Sequence, residues 1–150
     1  VIIKRLILKN WRNFKNVDVK FGDRVFLVGP NAAGKSNFLE VFRFLRDIAR
    51  SDGGGLQKAI ETAGGLKKIR CLAARKDPNV KITVYLGEQD PNAPEWRYTI
   101  ELKQDSKNKE KPYLVSERIY QGIPQRIRFV GGREALVFRR NFLLSRPDEK

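Results

Sequence analysis

Gly29-Pro30-Asn31-Ala32-Ala33-Gly34-Lys35-Ser36 fits G-x-x-x-x-G-K-[ST], the phosphate-binding P-loop. The apolar run Val25-Phe26-Leu27-Val28 precedes it and a helical pattern follows, so the motif stands in its required strand–loop–helix context. Glycines let the backbone curl until successive N–H groups point inward at phosphate oxygens. A helix opening near Gly34 adds the partial positive charge of its N-terminus. Lys35 reaches the β- and γ-phosphates as the catalytic cation, and the Ser36 hydroxyl ligates Mg²⁺. The predicted nucleotide-binding residues are Gly29, Pro30, Asn31, Ala32, Ala33, Gly34, Lys35, Ser36 and Asn37.

Upstream, Val1 to Leu8 read as a strand, followed by Lys9-Asn10-Trp11-Arg12-Asn13-Phe14. Val17 to Phe21 form a second short strand, Gly22-Asp23 a turn, and the third strand runs into the P-loop. This order resembles the N-terminal lobe of the ABC-type ATPase heads of RecF, SMC and overcoming-lysogenization-defect (OLD) proteins. There a K-N-[FW]-[RK]-x-[FI] segment precedes a G-x-N-x-x-G-K-[ST] loop. Asn37-Phe38-Leu39-Glu40 also looks like the S-N-[LF]-L-E helix start of the small RecF- and OLD-like ATPases. The resemblance is close over residues 1–50 and looser beyond.

It implies an α/β P-loop NTPase fold, an ABC-head N-terminal lobe with an antiparallel β-subdomain. It also implies ATP and Mg²⁺ as cofactors, Arg12 approaching the nucleotide phosphates and Asn31 near the γ-phosphate. In the resembling families a C-terminal lobe carries Walker B and the signature, and two heads sandwich two ATP molecules. Trp11 reads as packing in preference to adenine stacking.

Composition narrows the classes. With 41% hydrophobic residues, 150 residues can bury one ordinary core. Cys71 is the single cysteine, so no internal disulfide forms, and it reads as a small buried hydrophobe. The absence of His excludes His-based metal sites, general bases and triads. No apolar stretch is long enough for a membrane span and no signal pattern opens the chain, which predicts an intracellular, cytoplasmic protein. A net charge of +14 points to a polyanionic partner, foremost DNA, unless an acidic second half balances it.

Three stretches divide the chain. Residues 1–50 hold the hairpin, P-loop and first helix, which runs from Gly34 to about Arg50. Phe38, Val41, Phe42, Leu45 and Ile48 or Ala49 share its apolar face, and Glu40, Arg43, Arg46 and Asp47 the other, with Arg43 and Asp47 at i,i+4. Ser51 to Gly55 stop it. Residues 51–78 connect, with a short helix over Leu56–Ala63, a break at Gly64-Gly65 and a basic edge or loop from Lys67 to Arg75. Residues 79–140 alternate at period two as an antiparallel meander, with a Gly131-Gly132 hairpin turn before a strand at Ala135–Phe138.

Several segments imitate motifs. Val84 to Glu88 has the apolar run of a Walker B strand but Gly87 where the Asp belongs. Phe129 to Glu134 echoes an L-S-G-G-[QE] signature but leads into a strand pattern. Gln121 and Gln125 lack the context of a Q-loop. Arg126, Arg128, Arg133, Arg139 and Arg140 form the densest basic run, read either as a solvated strand face or as a DNA phosphate contact.

The expected function is therefore the ATP-binding half of an ABC-type ATPase in DNA repair or defence against foreign DNA. ATP would drive dimerisation of heads and control DNA or a nuclease or other effector subunit. Hydrolysis needs the complete head dimer, because no Walker B Asp or water-orienting Glu is evident here. The alternative is a non-catalytic nucleotide sensor that organises a nuclease, reverse transcriptase or toxin partner. A GTPase is disfavoured for want of N-K-x-D and D-x-x-G, and a P-loop kinase by the β-hairpin before the loop.

Overall fold

A computed structural model of the chain describes residues 1–74, 78–89, 95–104 and 112–122, and the strand backbones at 124–127, 135–138 and 142–144. Strands β1 (Ile2–Trp11) and β2 (Phe14–Lys20) form the first hairpin. Helix α1 (Lys35–Ala49) follows the P-loop, and short helices α2 (Leu56–Thr62) and α3 (Leu66–Ile69) come next. Then come β3 (Val80–Gly87), β4 (Glu95–Gln104), β5 (Pro112–Gly122), β6 (Pro124–Ile127), β7 (Ala135–Phe138) and β8 (Phe142–Leu144).

Six strands make one antiparallel sheet in the order β2-β1-β3-β4-β5-β8, and β6 with β7 makes a separate ribbon. The hairpin and the meander are thus one sheet, because β1 pairs with β2 on one side and β3 on the other. Period-two alternation decides which residues face inward. Leu6 and Leu8 from β1, Val80, Ile82 and Val84 from β3, and Ile100 and Leu102 from β4 are all buried on one face. Against them pack Phe38, Val41 and Phe44 of α1, with Ala59, Ile60, Leu66 and Ile69.

Phe44 is buried more deeply than Phe42 or Leu45, which are only partly covered. The apolar stripe of α1 is therefore rotated from the one the sequence predicts, because Trp11 takes the Phe44 ring at 5.3 Å. Phe42 and Phe38 instead meet Phe21, and Phe38 meets Phe14 edge-on. The predicted Arg43–Asp47 pair does not form: Asp47 binds its neighbour Arg46 at 2.7 Å.

One predicted strand is absent. Val25 to Val28 carry no strand assignment, and they are exposed, Phe26 by 83% and Val28 by 90%. Four consecutive large apolar residues have the composition of a strand buried on both faces, the kind that sits inside a parallel sheet. No neighbouring strand is hydrogen-bonded to this segment among the described residues.

Candidate nucleotide-binding site

The P-loop lies between this apolar segment and α1. Ala32 and Gly34 adopt positive φ, 64° and 93°, and the Ala33 N–H donates to the Pro30 carbonyl at 3.3 Å. Alternating hand of this kind curls the backbone into an anion-binding concavity. Gly34 is the N-cap of α1, no side chain caps that end, and its first turn contains no carboxylate. The positive end of a fifteen-residue helix is thus left for an external anion.

The loop wraps its own lysine. Lys35 Nζ donates to the carbonyls of Gly29 at 2.7 Å and Pro30 at 2.6 Å. The ammonium therefore sits within the ring of the loop, where a bound phosphate group would meet it. A triphosphate fits these residues: backbone N–H groups, a helix N-terminus and one cation converge. Ser36 follows in the first turn of α1 and offers one hydroxyl. No group of three Asp, Glu, Cys or His side chains that could hold a metal occurs among the described residues.

The first hairpin locks the loop from above. Arg12-Asn13 is its two-residue turn, with Arg12 at φ 52°. Asn13 Oδ1 accepts from Asn37 Nδ2 at 2.9 Å, and the Trp11 indole N–H donates to the Asn37 carbonyl at 2.8 Å. A Cβ on Gly34 would lie 2.4 Å from Asn13 Nδ2, so the site requires glycine twice over, for φ and for space. Trp11 is fully buried, a packing residue. The role of Asn13 went unnoticed in the sequence because nothing local links this turn residue to Asn37, twenty-four positions on.

Arg12 has three partners. Its guanidinium binds Glu40 Oε2 at 2.7 Å and the carbonyls of Lys68 at 3.1 Å and Ala63 at 3.2 Å. Its backbone N–H donates to the Ile69 carbonyl. The predicted phosphate-contacting arginine is thus held against the second turn of α1 and the ends of α2 and α3. Glu40, placed on the solvent face by helical periodicity, is its counter-ion.

The imitators lie elsewhere. Gly87 pairs with Ile2, at the end of β1 opposite the hairpin turn, so Glu88 is some nine strand residues away, about 30 Å. Gln121 pairs with Trp96 at that same far end. Phe129–Glu134, Arg128, Arg133, Arg139 and Arg140 lie outside the described residues, and of Arg126 and Gln125 only the backbone, in β6, is described.

Residues 24–145 match the protein family described as "AAA domain, putative AbiEii toxin, Type IV TA system". The chain belongs to this family. Its fold is that of the N-terminal lobe of an ABC-type ATPase head of the RecF-like kind, an α/β P-loop lobe with an antiparallel β-subdomain. It is 31% identical over 88 residues to the DNA replication and repair protein RecF of Agathobacter rectalis, covering 57% of this chain and 24% of that protein. RecF of Lachnoclostridium phytofermentans is 28% identical over 92 residues, 61% of this chain and 26% of that protein. RecF of Streptococcus uberis is 53% identical over 45 residues, 29% and 12% respectively. The chain thus spans about a quarter, or less, of these relatives' length. No helix among the described residues is long and apolar enough to cross a membrane.

Proposed function

We propose that this AAA-family lobe binds ATP with Mg²⁺ as one half of an ABC-type ATPase site, and that the assembled protein acts on DNA in the cytoplasm. The observation that carries the reading is the P-loop ring closed around Lys35 at the uncapped start of α1. Gly29 to Ser36 would hold the phosphates, Lys35 would exchange its two carbonyl partners for phosphate oxygens, and Ser36 would hold the metal ion. Bound Mg²⁺ would neutralise charge on the transferred phosphoryl group. Its further protein ligand, a carboxylate, and the group that orients water would come from outside the described residues. The exposed apolar segment Val25–Val28 supports this, because it lies beside the loop, pairs with no described strand and has the composition of a strand that a second lobe's sheet would take up.

Arg12 can reach a phosphate only by leaving Glu40, so nucleotide binding and the Arg12–Glu40 pair would compete. Two heads would enclose the nucleotide and change their grip on DNA as they join. The relatives' names favour replication and repair, and the family description favours a role beside a toxin or other defence effector. In the second case ATP binding alone would organise the effector. Calorimetry of ATP–Mg²⁺ against wild type and Lys35→Ala tests the core of the reading. A charge-assisted contact contributes about 1.5–3 kcal/mol, so affinity should fall about ten- to hundred-fold. Equal affinities would refute the site.

A further inference from the structure

The sheet has a second concavity, on the face turned away from α1. Alternation places Ile7, Thr83, Tyr85 and Thr99 on its floor, within a cavity of about 660 Å³. Lys9, Lys81, Arg97 and Arg118 line it, and Asp18 is the one carboxylate among the lining residues. Asp18 is itself bound by Arg5, so it adds little negative field. Lys9 stands directly opposite Lys81 across the β1–β3 ladder. Glu101 lies 3.8 Å from Lys81. A concave face lined by four cations suits an anionic ligand.

The spacing selects the kind of anion. From Lys9 on β1 to Arg118 on β5 the sheet takes three inter-strand steps, about 14 Å. One phosphate group cannot neutralise cations spread so far, whereas a polymer with regularly repeated phosphates can. The aromatic rings are not open platforms. The Arg97 guanidinium lies 4.2 Å from the Tyr120 ring centroid and that of Arg5 5.6 Å from Tyr85. Base stacking needs an uncovered ring face, so this surface suits the backbone and not the bases. Thr83 and Thr99, sharing a hydrogen bond at 3.1 Å, put hydroxyls on the floor.

We propose that this outer sheet face grips the phosphodiester backbone of nucleic acid without reading sequence. The inference rests on the nucleic-acid reading above and locates its contact on the sheet, away from the arginine run at 126–140. The test is binding of the full chain to labelled mixed-sequence duplex and single-stranded DNA across a salt series. Lys9→Gln, Lys81→Gln and Arg118→Gln together should make the slope of log K against log salt shallower by about 3, on both probes, with ATP affinity unchanged. Should the triple variant lose ATP binding, Arg118→Gln alone, at an exposed position, should shift the slope by about 1. An unchanged slope overturns the inference while DNA binding itself stands. Flattening instead by replacing Arg126, Arg128, Arg133, Arg139 and Arg140 moves the contact there. No binding by wild type at low salt sinks both readings. A single-strand preference abolished by Tyr120→Leu would place bases on the ring and overturn the backbone-only grip.

Discussion

At the scale of single residues, the site depends on side chains that the P-loop pattern does not contain. Arg12→Ala would strand Glu40 and two carbonyls, groups that are expensive to leave unpaired in a partly buried place. We expect a loss of about 1–3 kcal/mol in denaturant unfolding, partly recovered when Glu40→Gln is added. Placement at a strand end, outside the apolar pattern, suggests a residue dispensable for folding; the burial of its side chain says otherwise. Gly34→Ala should cost about as much, through its Cβ meeting Asn13, and Asn13→Gly should restore only the part due to space. Asp18 gives a pH dependence. The hydrogen bond from Arg5 holds its carboxyl below the ordinary 3.8. The unfolded chain therefore takes up the proton first as pH falls. The pair's contribution is present above the ordinary value and is lost as pH drops through the depressed one. Thermal melts should show Asp18→Asn slightly less stable than wild type at pH 7, with the difference vanishing in strong acid.

At the scale of elements, the helices and strands with one buried face follow their periodicities. α1 begins and ends within a residue of its predicted span, and Val80, Ile82 and Val84 of β3 and Ile100 and Leu102 of β4 are buried as expected, whereas Leu86 and Tyr98 are only partly covered and Trp96, near the far end of the sheet, is exposed. What the pattern could not convey is partnership between distant segments. β1 pairs with β3 across some seventy residues, a relation with no local trace. Val25–Val28 shows the converse: its composition states a buried strand, and its environment depends on residues that do not pair with it here. Phe26→Ser should therefore change the stability of this chain by less than about 0.5 kcal/mol, as exposed substitutions do. In a protein whose second lobe covers the segment it should cost about 3–5 kcal/mol, as core phenylalanine truncation does. Parallel urea titrations of the 150 residues and of the longer protein compare the two. Of the site, the P-loop was legible because glycine, lysine and serine spacing records backbone chemistry directly. The lock was not: Asn37 was expected at the nucleotide and not as the partner of Asn13, and Glu40 reads as solvent-facing until the hairpin turn brings Arg12 to it.

At the scale of the whole molecule, a lobe that on the proposed reading supplies only the phosphate cradle and one hydroxyl for the metal should bind nucleotide and turn over almost none. A phosphate-release assay on residues 1–150 checks this. Adding the remainder of the protein should restore slow hydrolysis that rises more than linearly with concentration. Brisk, concentration-independent hydrolysis by the 150 residues alone would contradict it. The strand order carries one more consequence, for the ribosome. The cradle is complete in sequence by Ser36, yet the hairpin that clamps it is held by β3, which in turn is held by β4. On this strand order a growing chain should emit residues up to about Gln104 before the proposed ATP site acquires a fixed shape. Stalled nascent chains ending before Val80 should fail to retain an ATP analogue, and those extending past Gln104 beyond the exit tunnel should retain it.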